Sequence, residues 1–136
     1  MSEQSPVRQL RLVVTADDYD EALRFYRDVL GLPVRADFSS TEGRVTVLDA
    51  GQATLELADP AQAQYIDQVE VGRRVAGHLR VAFEVDDASA TAAALAADGA
   101  TVVAEPTLTP WKSLNARFDT PGSLHITVFQ QLAPEE

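Results

Sequence analysis

The sequence predicts an α+β domain built from two successive β-α-β-β-β modules with their helices on one side. The first observation behind this is an internal repeat, since residues 10–18 match residues 79–87, and both segments alternate apolar and polar side chains before an Asp-Asp pair. The second is an amphipathic stretch after each copy. The third is a pair of strand-like segments around a glycine turn that closes each copy.

The first module is predicted to cover residues 8–58. Its opening strand lies within the first repeat, and a helix follows over residues 20–30, where Gly31 stands at the position of a C-terminal cap. Three strands then complete it, over residues 33–38, 44–49 and 53–58. The apolar stripe of the helix consists of Ala22, Leu23, Tyr26, Val29 and Leu30.

The second module is predicted to cover residues 78–130, with a helix over residues 88–98 that Gly99 ends. Its later strands are expected at residues 101–104, 114–119 and 124–129. The linker of residues 60–77 joins the modules and is compatible with a short helix at residues 61–69. The whole chain, residues 1–136, is therefore expected to form a single domain.

Composition excludes several kinds of partner and site. The chain has 21 acidic and 11 basic residues, so its net charge of -10 argues against nucleic acid and anionic membranes as partners. It has no cysteine, which excludes disulfides and thiolate metal sites. No stretch is long and apolar enough to span a bilayer, and residues 1–7 are polar without a signal-peptide core, so we expect a cytoplasmic protein.

Strand alternation assigns the two faces of the expected sheet. The apolar face, which should pack on the helices, comprises Leu12, Val14, Leu55, Leu57, Val81, Phe83, Ile126 and Val128. The opposite face carries the candidate ligand-binding residues Arg11, Glu56, His78, Arg80, Asn115, Arg117, His125 and Thr127. An ordinary solvated sheet face would show the same alternation, so periodicity alone does not require a ligand.

Four segments resemble landmarks of one known family. They are residues 22–34 (ALRFYRDVLGLPV), 54–57 (TLEL), 81–87 (VAFEVDD) and 119–122 (DTPG). With these segments, residues 8–131 resemble the vicinal oxygen chelate superfamily of glyoxalases, bleomycin resistance proteins and extradiol dioxygenases. The resemblance implies a curved mixed sheet that forms a cup, with helices outside and ligands bound on the polar face.

The resemblance also implies where a metal ion would be bound. Metal-dependent members use a histidine on each first strand and a glutamate on each last strand, and these positions fall here on Arg11, Arg80, Glu56 and Thr127. A guanidinium has no lone pair for a metal, so we expect neither a metal nor another cofactor. Glu56 is instead expected to pair with Arg11 or Arg80.

The sequence is also compatible with one alternative metal site. Glu56, His78 and His125 would form a displaced set of two imidazoles and one carboxylate, which is a known catalytic combination. Such a site would make the protein a metal-dependent lyase or dioxygenase.

The favoured hypothesis is a metal-free small-molecule-binding protein that sequesters its ligand, as antibiotic-binding members of the superfamily do. Trp111 is a candidate wall of the binding site, with Phe38, Tyr65 and Phe129 as further aromatic residues. The arginines of the polar face would favour an anionic or carbonyl group in the ligand. A homodimer is expected from the resemblance, and a dimerisation module without any small ligand is a further alternative.

Overall fold

The computed structural model describes residues 11–53, 56 and 58–132. A first helix, α1 (Tyr19–Leu23), continues directly into a π-helical segment (Arg24–Val29). The other helices are α2 (Pro60–Glu70) and α3 (Ala88–Ala97). The strands are β1 (Val34–Asp37), β2 (Thr46–Leu48), β3 (Val81–Glu84), β4 (Thr101–Leu108), β5 (Ser113–Asp119) and β6 (His125–Gln131).

The sheets confirm the predicted α+β class and the mixed strand directions. A four-stranded sheet has the order β3-β6-β5-β4, in which β3 and β6 run parallel and the other neighbours run antiparallel. β1 and β2 form a separate two-stranded antiparallel sheet. The second half of the chain therefore has the β-α-β-β-β order that the repeat predicts.

Local signals in the sequence begin and end the helices. Asp18, Asp59 and Asp87 are N-caps whose side chains accept hydrogen bonds from backbone N–H groups of the first turn. Gly31 follows the π-helical segment and Gly99 follows α3, with φ angles of 92° and 97°, a region in which other residues are strained. The predicted helix boundaries are therefore close to those observed.

The apolar core lies between the π-helical segment, α3 and one face of the large sheet. Phe25 of the π-helical segment and Leu95 of α3 are almost completely buried there. They pack on the apolar sheet residues Ala116, Phe118, Ile126 and Val128. Fully burying one such side chain stabilises the fold by roughly 1.5–3 kcal/mol, so each of these core residues contributes to the stability. The predicted burial of Ile126 and Val128 is confirmed.

The first predicted strand is wrong for the residues that the structure describes. Residues 11–16 have no regular secondary structure, and Leu12 and Val14 are 48% and 38% exposed. Val14 lies instead beside Gly122, in the turn between β5 and β6, so this segment has no sheet position in which to bury its side chains. Leu55 and Leu57, which should share the apolar face, lie outside the described residues.

Candidate ligand-binding site

The polar face of the large sheet is covered, not open. Asn115 and Arg117 on β5 and Thr127 on β6 alternate with core residues and therefore point away from the apolar core. All three are buried, with exposures of 7%, 0% and 1%. The cover is α2, which lies in the predicted linker and was expected at most as a short connecting helix.

Charges rather than apolar side chains hold α2 on this face. The whole helix lies in the described part of the chain, and its buried residues are Asp67 and Glu70. Their spacing of three positions puts both carboxylates on the same side of the helix. Arg117 Nε donates to Glu70 Oε1 at 2.7 Å, and Asn115 Nδ2 donates to Glu70 Oε2 at 2.6 Å. Arg117 Nη2 lies 2.9 Å from Asp67 Oδ1, an ion-pair distance, although its N–H groups are not aligned for a hydrogen bond.

Asp67 is the most heavily bonded carboxylate in the described structure. Its Oδ2 accepts hydrogen bonds from Arg74 Nη1 at 2.6 Å and from the backbone N–H groups of Val75 and Ala76 at 2.8 and 2.9 Å. Burial by itself raises the pKa of Asp67, but these hydrogen bonds and the pairing with Arg117 outweigh it and hold the pKa well below its usual range. Asp67 therefore remains ionised and fixes the segment that follows α2.

Arg80 and Thr127 form a second polar contact on this face. Arg80 Nη1 donates to Thr127 Oγ1 at 2.6 Å. Burial and then the positive charge of Arg117 lower the pKa of Arg80, which still leaves a guanidinium charged at neutral pH. The other nitrogens of Arg80 have no acceptor among the described residues. An arginine and a threonine thus occupy positions where the family resemblance implies an imidazole and a carboxylate.

His125 connects this network to the edge of the sheet. Arg117 Nη1 lies 3.1 Å from His125 Nε2, and His125 Nδ1 lies 3.0 Å from Asp119 Oδ1. A guanidinium only donates, so Nε2 must accept, and the ring proton of the neutral imidazole is on Nδ1 and donates to Asp119. Beside this ring lies a groove of about 290 Å³ that also includes Arg73 and Arg74.

The remaining predicted site residues are more exposed. Arg11, Glu56 and His78 are all exposed. Trp111 is 42% exposed and contacts Tyr65 of α2 with ring centroids 6.1 Å apart. Among the described residues no ion pair joins Glu56 to Arg80, whose Nη1 donates instead to Thr127 Oγ1. The alternative pair of Glu56 with Arg11 stays a prediction.

The described residues form no cluster that fits a metal ion. Among residues 11–53, 56 and 58–132, no group of three or more His, Cys, Asp or Glu side chains is arranged to hold one. Glu56, His78 and His125 all belong to this part of the chain, so the structure does not bring the displaced set together.

The sequence reasoning missed the residues that the linker contributes. Asp67, Glu70, Arg73 and Arg74 were not among the predicted site residues, because the linker was interpreted as a connection between modules. One signal was present: two acidic residues three positions apart near the end of a possible helix, followed by a double arginine. Such a pattern indicates a helix side whose carboxylates can pair with cationic side chains.

Comparisons with known proteins agree with this architecture. The family model described as Glyoxalase/Bleomycin resistance protein/Dioxygenase superfamily matches residues 8–127. TnmS3, described as an antibiotic binding protein from Streptomyces sp. CB03234, is 25% identical with a TM-score of 0.62, covering 94% of this chain and 99% of that chain. A glyoxalase/bleomycin resistance protein from the same organism is 28% identical with a TM-score of 0.54, covering 85% and 93% of the two chains.

One more solved structure shares the fold. A protein of unknown function from Agrobacterium tumefaciens str. C58 is 21% identical with a TM-score of 0.60, covers 93% of this chain and 98% of that chain, and supports the fold alone. No curated protein matches the chain significantly. Within the described ranges, no helix combines the length and the apolar character needed to cross a membrane.

Proposed function

We propose that this chain, which belongs to the glyoxalase/bleomycin resistance protein/dioxygenase superfamily, is a metal-free protein that binds and sequesters a small molecule. The observation that carries the proposal is the 2.6 Å hydrogen bond from Arg80 to Thr127. These two residues stand where metal-dependent relatives are expected to have metal ligands, and a permanently charged guanidinium repels a dication. The similarity to TnmS3, described as an antibiotic binding protein, supports an antibiotic or a compound of similar size as the ligand.

Arg80 is the proposed polar anchor of the ligand. It is partly buried, and its unused N–H donors suit a carbonyl or an anionic group. Arg117 and Asn115 are less suitable, because their donors already serve Glu70. In this proposal they reach a ligand only when α2 moves away from the sheet.

Tyr65 and Trp111 are the proposed aromatic wall. Their rings are in contact, and they are 47% and 42% exposed, which leaves ring surface for a planar ligand. Because Tyr65 is on α2, a ligand stacked there would also respond to any movement of that helix.

A ligand-binding screen tests the proposal. Thermal unfolding of the purified chain is measured with bleomycin, doxorubicin and reduced glutathione, and separately with Zn²⁺, Ni²⁺ and EDTA. We expect an aromatic antibiotic to raise the Tm saturably, by linkage of binding to folding, and EDTA to leave it unchanged. Elemental analysis should find less than roughly 0.2 equivalents of transition metal per chain.

The Arg80→Gln variant locates the site. It should weaken the antibiotic about tenfold, because one charge-assisted hydrogen bond is lost. The control is Arg35→Gln, which removes an exposed cation that lies 3.7 Å from Asp49 on the β1–β2 side. Near-stoichiometric zinc, nickel or iron that resists dialysis would instead favour a metal-dependent lyase or dioxygenase. A chain that binds none of the compounds would favour the dimerisation module.

Within this proposal the working form is a homodimer. Several apolar side chains in the first half of the chain are at least 38% exposed: Leu12, Val13, Val14, Val34, Phe38 and Val45. Covering them with a second copy would remove apolar surface from water. Light scattering of the purified chain should give twice the monomer mass, and a monomer would contradict this part of the proposal. A cytoplasmic location remains a prediction.

A further inference from the structure

The segment directly after α2 places two arginines beside the edge of the large sheet. Arg73 and Arg74 line the groove of about 290 Å³ together with Val103, Asp119 and His125. Arg80, the anchor proposed above, does not line this groove. The groove is therefore a second candidate site, and reaching it does not require α2 to leave the sheet.

Two hydrogen bonds hold the guanidinium of Arg74 in a fixed orientation without a ligand. Its Nη1 donates to Asp67 Oδ2 at 2.6 Å and to the carbonyl oxygen of Ala76 at 2.5 Å. The Asp67 side chain is 2% exposed and fixed by its other bonds, whereas the Arg74 side chain is 36% exposed. Nε and Nη2 of Arg74 have no acceptor in the part of the chain that the structure describes. A guanidinium held through one nitrogen loses little further entropy when the others bind.

Arg73 differs from most arginines of this chain because no described residue neutralises it. Carboxylates lie within 4.0 Å of Arg24, Arg27, Arg35, Arg44, Arg74 and Arg117. The exposed side chain of Arg73 has no ion pair or hydrogen bond within the described ranges. In a chain of net charge -10, an exposed arginine without a carboxylate partner is a candidate for binding an anion.

The single acidic residue that lines the groove is already engaged elsewhere. Asp119 Oδ1 accepts the Nδ1 proton of His125 at 3.0 Å, and among the described residues it forms no ion pair with Arg73 or Arg74. His125 is held in that tautomer by Arg117, whose Nη1 donates to Nε2. The histidine therefore engages one oxygen of this carboxylate, and the described donors of the two arginines that serve no acceptor remain available.

We propose that Arg73 and Arg74 form an oxyanion-binding site in this groove, which takes a carboxylate or phosphate group of a small molecule. Arg74 supplies a fixed guanidinium, and Arg73 supplies a movable one that closes on the anion. The site goes beyond the function proposed above, since it uses neither Arg80 nor the aromatic pair.

The test uses inorganic phosphate and malonate as probes. Each is titrated into the full chain at low ionic strength, and binding is followed by calorimetry and by the NMR signals of the arginine side chains. Saturable binding is expected for at least one probe, with an affinity that falls as sodium chloride screens the charges. Tighter binding of phosphate would point to a phosphorylated ligand, and tighter binding of malonate to a carboxylate ligand.

Two substitutions with opposite expected effects locate the site. Arg73→Gln should weaken the bound probe about three- to tenfold, because one charge-assisted contact is lost. Asp119→Asn should strengthen it about two- to fivefold, because a like charge beside the anion is removed. Arg73 has no partner to lose among the described residues, so Arg73→Gln should unfold at the wild-type temperature.

The matched controls are Arg35→Gln and Asp49→Asn, which change the same charges at an exposed pair outside the groove. Both should leave probe affinity within about twofold of wild type, since neither residue lines the groove or contacts the bound probe. The proposal is overturned if neither probe binds saturably. It is also overturned if Arg35→Gln weakens binding as much as Arg73→Gln, because the effect would then come from net charge alone.

Discussion

The two faces of the large sheet are both buried, but different forces bury them. On one face Phe25 and Leu95 pack on apolar side chains, and removal from water is itself stabilising. On the other face Arg117 meets Asp67 and Glu70 of α2. There, removing charges from water is costly and is offset only because each charge finds a partner.

This difference indicates on which face of the sheet the attachment of the helix depends on charge, and therefore on pH and salt. The π-helical segment and α3 are held by apolar area whose burial depends little on salt or on pH. The buried residues of α2 are Asp67 and Glu70, so the attachment of α2 to the sheet depends on the ionisation of these two carboxylates and on their pairing with Arg117. A change of charge should therefore act on the polar face and leave the apolar face unchanged.

The largest expected effect comes from removing the buried cation. Arg117→Met leaves Glu70 and Asp67 without their shared guanidinium, and stranding a buried charge in this way costs about 3–5 kcal/mol. Urea denaturation at pH 7 measures the loss. Adding Glu70→Gln to Arg117→Met should restore part of the stability, because the carboxylate that depends most on Arg117 becomes neutral.

Leu95→Ala provides the comparison on the apolar face. It should cost about 2–5 kcal/mol through lost burial and a cavity, and Glu70→Gln should not compensate for it. If Arg117→Met unfolds within about 1 kcal/mol of wild type, as an exposed ion pair would, the polar face is not a buried charge network.

An intermediate effect is expected from acid. The pKa of Asp67 is lower in the folded chain than in the unfolded chain, in which an aspartate has a pKa of about 3.9. The stability that Asp67 contributes is therefore fully present above about pH 4 and is lost as the pH falls through the folded pKa. The stability difference between wild type and Asp67→Asn should be constant from about pH 7 to 5 and should shrink below about pH 4.

Leu95→Ala is again the matched control, since no ionisable group changes. Its stability difference from wild type should remain the same across this pH range. Denaturation midpoints measured at each pH give both curves. A gap between wild type and Asp67→Asn that is constant down to about pH 2 would show that Asp67 does not retain a lowered pKa in the folded chain.

The smallest effect is expected at the surface. Arg24 donates two hydrogen bonds to Asp98 at 2.8 and 2.9 Å, and the two side chains are 48% and 24% exposed. Exposed ion pairs contribute little because water and salt screen them. Arg24→Gln should therefore unfold at a temperature indistinguishable from wild type. A loss comparable to that of Arg117→Met would mean that geometry matters more than burial for these pairs.

Much of the fold could be predicted from local patterns. The capping residues Asp18 and Asp87, the glycines Gly31 and Gly99, and the alternation around Phe118 act over a few neighbouring positions, which is the range that sequence reasoning covers. The first strand is predicted wrongly because its formation depends on residues far away in the sequence. Residues 11–16 alternate like a strand, but a strand forms only where a partner lies beside it.

The polar face of the sheet could be predicted in part. Arg80, Asn115, Arg117, His125 and Thr127 belong to the polar face as predicted, because alternation along a strand fixes the direction of each side chain. Alternation contains no information about what lies above that face. The roles of Asp67 and Glu70 therefore could not be derived from periodicity, and neither could the buried state of Arg117.

The sequence by itself determined the α+β class and the side of the sheet to which each strand residue points, because these follow from repeats and from periods of two or 3.6 residues. The family follows from the resemblance of whole motifs, which the family model matches over residues 8–127. Only the tertiary structure decided that the linker helix α2 covers the polar face, with Arg117 bonded to Glu70 and Arg73 left without a described partner. The physical reason is that a charged side chain can be buried only where its partner is brought to it, and here the partners are 47 and 50 positions apart along the chain.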